Sequence, residues 1–201
     1  MSDPHAVPTA SPWVVRFAPL IGHGSTVLDV ACGRGRHARY LAARGCRVTA
    51  VDRDENAVAG LANLSGIAPF LADLEAAPWP FAPASFDAVV VVHYLHRPLF
   101  PHIIASLRPG GILLYETFMR GNERFGKPSN PHFLLQPMEL LAACNALCVI
   151  AFEQGIEQAP TQRAVQRIAA AAPAASLSAP AAGTAPAATA LFALPPARQM
   201  D

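Results

Sequence analysis

Apolar positions along this chain recur with two alternating periods. "STVLDV" (25–30) is a short β-branched run and predicts a first strand. "RHARYLAAR" (36–44) places Ala38, Leu41 and Ala42 on one face with arginines elsewhere, which predicts an amphipathic helix stopped by Gly45. "RVTAV" (47–51) predicts a second strand, after which Asp54 can cap a helix carrying Ala57, Val58, Leu61 and Leu64. "IAPFLA" (67–72) is a weaker third strand, interrupted by Pro69. "FDAVVVV" (86–92) is apolar on both faces, as a strand covered by helices on both sides would be. Pro98 can open a helix with Leu99, Ile103 and Leu107, "RPGG" (108–111) reads as a turn, and "ILLYET" (112–117) as a fifth strand. Pro137 can open "MELLAACNAL" (138–147); "CVIAFEQG" (148–155) and "RAVQRIAAA" (163–171) then read as two strands joined by a polar turn. "WVVRFAPLI" (13–21) predicts a helix leading into the first strand.

Strand and helix thus alternate until a closing strand–turn–strand. That order predicts an α/β, doubly wound, mostly parallel sheet of seven strands with an antiparallel last strand. Residues 1–172 are expected to form this domain. Residues 173–201 are dominated by alanine and proline and carry charge only at Arg198 and Asp201, so a flexible tail is expected there. No internal repeat is present.

The 201-residue length suits one domain with an appendage. A net charge of +1 implies no polyanionic partner. Six arginines from Arg34 to Arg53 could form a basic face for RNA, but a solvated helix face explains them better in a near-neutral chain. No apolar stretch approaches the roughly 20 residues that a membrane helix needs. The opening "MSDPHAVPTASP" lacks a basic segment followed by an apolar one, so no signal peptide is expected. Cys32, Cys46, Cys144 and Cys148 form no zinc-type pair, which points to reduced thiols in a cytoplasmic protein. His96 and His102 lack a third ligand nearby, and no metal is expected. The sequence carries no signal for oligomeric state.

Gly33-x-Gly35-x-x-Ala38 follows the first strand, and Asp52 ends the second. A glycine bend there lets a ligand approach the backbone, and Asp52 can accept from ribose hydroxyls. A dinucleotide and S-adenosylmethionine (SAM) both satisfy these features. Three others favour SAM. Asp29 lies four residues before Gly33, where a carboxylate would repel pyrophosphate but suit an ammonium and a sulfonium. Asp73 follows the third strand, where an acid can accept from an adenine amino group. Little sequence remains after the sheet to hold a substrate against a nicotinamide.

"LDVACGRG", "VTAVDRD", "LADLE", "FDAVVVVHYLH" and "LRPGGILLYETF" occur in the order of the class I SAM-dependent methyltransferase motifs, over residues 26–117, and the chain resembles that family. The resemblance implies a Rossmann-like fold that binds SAM and releases S-adenosylhomocysteine. It implies Asp29, Cys32, Gly33 and Gly35 around the methionine moiety, Asp52 on the ribose and Arg53 flanking the adenine. Asp73 and Leu74 would stand at the adenine edge and His93 just past strand four. Other roles remain open: Asp29 could cap the following turn, Asp52 and Asp54 could start a helix, and Cys32 could be a small spacer.

The acceptor is sought around the methyl group. "HYLHRP" is not the Asn/Asp-Pro-Pro-aromatic motif used on nucleobase amino groups, no paired-glutamate loop suits a guanidinium, and no acid cluster suits a catechol-bound magnesium. After strand five, residues 116–133 carry Arg120, Arg124 and Lys127 against Glu123. This loop reads either as a cationic lid for an anionic acceptor or as a solvated loop packing on Phe118, Phe125 and Phe133. "YETF-x-x-GNE-x-FGKPSNP-x-FLL" and "CGRGRHARYLA", with Arg36 and Tyr40, also resemble the tellurite-resistance branch of the family. That resemblance implies methylation of a small tellurium or selenium oxyanion, or another soft nucleophile such as a thiol. In that reading Arg120 and Arg124 hold the acceptor; independently of it, Tyr94 or His96, after strand four where the methyl group should sit, could orient or deprotonate an acceptor. A small-metabolite or RNA methyltransferase, or a catalytically silent SAM-binding module, are the alternatives.

Overall fold

A computed structural model describes residues 9–174; the tail expected at 173–201 lies outside the described residues except for its first two positions. Helix α1 (Pro12–Phe17) and a 3-10 turn (Ala18–Leu20) lead into β1 (Thr26–Val30). There follow α2 (Arg36–Ala43), β2 (Arg47–Asp52), α3 (Glu55–Ala59), β3 (Ile67–Leu71) and β4 (Phe86–Val92). The second half holds α4 (Phe100–Ala105), β5 (Leu107–Phe118), α5 (Glu139–Ala143), β6 (Cys148–Glu157) and β7 (Arg163–Ala171). The seven strands lie in the order β3-β2-β1-β4-β5-β7-β6. Strands β1 to β5 run parallel to one another, and β7 runs antiparallel between β5 and β6. The order reverses between β1 and β4, so the carboxyl ends of those strands flank a crevice.

The unbroken apolar run of β4 is explained by two cores. Val90 and Val92 face α1 and α2 and pack with Trp13, Phe17 and Leu41. Val89 and Val91 face α4 and α5 and pack with Ile103, Tyr115 and Leu140. Burying a side chain of this size contributes about 1.5–3 kcal/mol, so both layers drive folding.

Three expectations are corrected. "RPGG" is not a turn between elements: β5 already pairs at Leu107 with Phe86, bulges, and resumes at Ile112 opposite Ala88. Arg108 Nη1 bonds Asp87 Oδ1 at 2.8 Å, and a Cβ on Gly111 would meet the Arg108 carbonyl oxygen at 2.8 Å, so the bulge is pinned. The helix expected to reach Leu107 ends at Ala105, because Leu107 is taken into the sheet. The helix expected over 138–147 forms only over Glu139–Ala143, after Met138 in a left-handed conformation (φ 62°).

Candidate active site

Five parallel strands deliver side chains to one crevice of about 340 Å³. Its floor includes Ala31 after β1, Asp52 ending β2, His93 after β4 and Phe118 ending β5. Ala31 (φ 52°) and His93 (φ 59°) both hold left-handed backbone that L-residues avoid, at about 1–2 kcal/mol each. Two such residues at neighbouring strand ends place the strain where a ligand would lie.

The glycine bend is built by backbone bonds. Cys32 N donates to the Val51 carbonyl at 3.0 Å and Gly35 N to the Cys32 carbonyl at 3.0 Å. Gly33 (φ 52°) has open space beside it, whereas a Cβ on Gly35 (φ 73°) would sit 2.6 Å from Leu61 Cδ2. Gly35→Ala is therefore expected to destabilise the fold by about 2 kcal/mol, read as a lower urea midpoint. An unchanged midpoint would show that neither the left-handed backbone nor Leu61 penalises a Cβ there.

Asp52 and Asp54 have separate roles. Asp54 Oδ1 accepts from Asn56 N and Ala57 N and caps α3. Asp52 Oδ2 instead accepts from Gly33 N at 2.7 Å, and its Oδ1 accepts from Asp54 N at 2.9 Å. Asp29 is 1% exposed and accepts from Ala38 N at 2.9 Å, inside the first turn of α2. Burial pushes its pKa up to about 7, against the opposing Ala38 bond and Arg36. Cys32 is buried, and burial followed by Asp29 and Asp52 pushes its thiol far above the usual range. Asp73 Oδ1 caps its own turn at Glu75 N and Ala76 N, while Oδ2 lies 4.0 Å from Arg53 Nη1. Leu74 and Glu75 complete this wall.

The other end of the crevice is lined by Tyr94, Leu95, Thr117, Phe118, Pro128 and Phe133. Burial and then Glu75 push the Tyr94 phenol well above its ordinary value, so it acts as a hydrogen-bond donor at neutral pH. His96 does not line the crevice; its Nδ1 is 3.9 Å from Glu75 Oε2. The structure does not bring Arg120 or Arg124 to the crevice. Arg120 lines a separate groove with Arg97 and Glu139, and Arg124 lies over its own Phe125 ring at 5.5 Å. The cause is the turn at Gly121 (φ 103°) and the buried Asn122, whose side chain bonds Pro128 O and Ala164 N. From this loop Pro128 and Phe133, not the cations, face the crevice.

Charge reaches His93 from elsewhere. Its ring lies against Phe118 at 4.7 Å, with Arg36 Nη2 3.3 Å from Nδ1 and Arg163 Nη1 2.9 Å from Nε2. Beneath it Glu116 is fully buried, with Oε1 3.5 Å from His93 Nε2 and Oε2 3.0 Å from Arg167 Nε. Burial raises the Glu116 pKa, but His93, Arg167, Ser11 and Arg163 outweigh it and hold the carboxyl at about 2. Glu116 and Arg163 do not stand out when "ILLYET" and "RAVQR" are read as apolar strands. An acid in so apolar a run, and arginines four apart on one strand face, are the signals that mark them.

Residues 27–111 match the methyltransferase domain family. A ubiquinone biosynthesis O-methyltransferase from Paracidovorax citrulli is 29% identical over 177 residues, covering 75% of this chain and 74% of that protein. Residues 27–111 thus match a methyltransferase domain, and the fold is that of class I methyltransferases. TehB from Haemophilus influenzae has the same fold at TM-score 0.67 and 23% identity, over 79% of this chain and 61% of that one. A SAM-dependent methyltransferase from Methanosarcina mazei superposes at TM-score 0.65 and 15% identity, over 83% of this chain and all of that one. The methyltransferase crevice fits SAM, the donor of this class. Asp52 lines the crevice and accepts from Gly33 N, whereas Asp29, Cys32, Gly33 and Gly35 adjoin it through that bend and are not among its lining residues.

Proposed function

We propose that this methyltransferase transfers the methyl group of SAM to a small anionic or soft acceptor, such as a thiol or a tellurite- or selenite-like oxyanion. The observation that carries this reading is the juxtaposition, at His93, of an acid-lined crevice with the guanidinium groups of Arg36 and Arg163. SAM supplies an electrophilic methyl on a sulfonium and leaves as S-adenosylhomocysteine. In the proposed arrangement Asp52 accepts from the ribose, Arg53, Asp73 and Leu74 border the adenine, and Asp29, Cys32, Gly33 and Gly35 surround the methionine moiety. Tyr94 and Phe118 align the acceptor, and alignment alone can lower the barrier by about 7–11 kcal/mol in favourable cases. A thiolate or an oxyanion lone pair attacks without a strong base. The fold shared with TehB supports the soft-acceptor reading, and the curated relative's name supports an organic hydroxyl as the second reading.

A screen of tellurite, selenite, small thiols, catechols and tRNA with labelled SAM and mass-spectrometric detection tests the reading. Methyl transfer to a thiol or oxyanion is expected; transfer only to tRNA or to a neutral catechol would contradict it.

Asp29 links donor binding to pH. Its carboxyl pKa is raised from 3.8 to about 7, so the free protein holds this proton below neutrality. A cationic donor favours the carboxylate, and the proton must leave on binding. Affinity for SAM is therefore expected to rise about tenfold from pH 6 to pH 8 and to level off above neutrality. In Asp29→Asn the slope should vanish. Calorimetry at the two pH values reads this, and a wild-type affinity flat across the range would detach Asp29 from the donor.

A further inference from the structure

A second cavity, of about 230 Å³, lies behind the His93 ring. Three distant parts of the chain wall it: residues 9–12, which lead into and open α1, Arg36 opening α2, and Thr161 in the β6–β7 turn with Arg163 opening β7. Glu116 contributes to its lining. His93 stands between the two spaces, since it lines the crevice and its ring nitrogens meet Arg36 and Arg163.

The charges around this cavity do not cancel. Arg16 pairs with Glu153, Arg163 with Glu157, and Arg167 with Glu116 and Glu157. Of the charged groups that line the cavity itself, Arg36 and Arg163 face Glu116, which leaves one cation in excess. That cation is Arg36: among the described residues it has no carboxylate within 4.0 Å, and its guanidinium points at an imidazole nitrogen. It is partly buried, and burial disfavours its charge; Glu116 opposes that effect and Arg163 adds to it. Glu116 Oε1, on the same side, lies 3.5 Å from His93 Nε2 and 3.7 Å from Arg163 Nη2, so its charge is met within the protein. A desolvated guanidinium facing a second one is completed by an anion, and the planar fork matches a carboxylate.

We propose that the second cavity binds the carboxylate of the methyl acceptor between Arg36 and Arg163, so that the acceptor's reactive atom reaches past His93 into the crevice. The inference rests on the proposed transfer to a small acceptor and narrows it to an organic monoanion. One excess charge is met by a carboxylate, whereas a phosphate dianion leaves one charge unmet. A bare oxyanion has no body to join the two spaces.

Three thiols of similar size test this: 3-mercaptopropionate, neutral 2-mercaptoethanol and cationic cysteamine. Wild-type kcat/KM is expected to be about tenfold higher for 3-mercaptopropionate than for 2-mercaptoethanol, and lowest for cysteamine. In Arg36→Gln the anionic-to-neutral ratio should fall towards one. Equal wild-type kcat/KM across the three overturns the proposal and needs no variant. Calorimetric titration of the protein saturated with S-adenosylhomocysteine reads the cavity without turnover. Saturable binding of 3-mercaptopropionate, lost in Arg36→Gln, is expected; no binding to wild type overturns the site. Binding without transfer to any thiol upholds the carboxylate site and overturns the soft-acceptor reading. A third arm compares S-adenosylhomocysteine with 5′-methylthioadenosine, which lacks the amino-acid end. If Arg36→Gln weakens only the former, Arg36 holds the donor's own carboxylate and the proposal falls.

Discussion

Asp52→Ala is expected to weaken SAM binding by more than about 100-fold, because the proposed ribose contact would lose two charge-assisted hydrogen bonds, at roughly 1.5–3 kcal/mol each, together. The carboxylate stands at the end of β2, lines the crevice and already holds the Gly33 bend at 2.7 Å. Removing it therefore withdraws the ribose acceptor and loosens the turn that cradles the donor. Helix α3 should be unaffected, since Asp54 caps it. Asp52→Asn keeps one acceptor and should lose only about tenfold. Calorimetry with SAM, beside a melting curve to show that the variants fold, separates binding from stability. An Asp52→Ala protein that binds SAM as the wild type does would place the ribose elsewhere.

Glu116→Gln is expected to cost about 3 kcal/mol of stability, the scale seen when one partner of a buried ion pair is removed. Glu116 has no exposed side-chain surface, and Arg167, Arg163, His93 and the Ser11 hydroxyl all point at it. Glutamine has the same volume, so the loss reads the charge and not a cavity. For a chain of this size the melting temperature should fall by about 9 °C at neutral pH. The pH dependence gives a second handle. The carboxyl pKa is lowered from 4.5 to about 2 on folding, so its contribution is present above 4.5 and disappears as the pH falls towards 2. Wild type and Glu116→Gln should therefore converge in acid. Curves that stay parallel between pH 7 and pH 2 would mean that the carboxylate is not what the arginines require.

The fold is legible in the sequence because its strands are short apolar runs at regular spacing and β4 is apolar on both faces. The misreadings lie where tertiary contacts override local rules. "RPGG" has every mark of a free turn, yet Asp87 and Arg108 fold it into a bulge within β5. In the site, residues at strand ends are legible, since topology sends Asp52, Asp73 and His93 to the same edge. Side-chain direction on a loop is not: Arg120 and Arg124 read as a cationic lid, but the turn at Gly121 points them away. Arg36 and Arg163 lie far apart in sequence, and only the placement of β7 beside β5 brings Arg163 to His93. No local period encodes that pairing.

The acid-lined crevice is expected to take the cationic methyl donor in preference to a dinucleotide. Side-by-side calorimetric titrations of the protein with SAM and with NAD test it most directly. Saturable binding of SAM with no detectable heat from NAD is the predicted result; tight binding of NAD with none of SAM would contradict it.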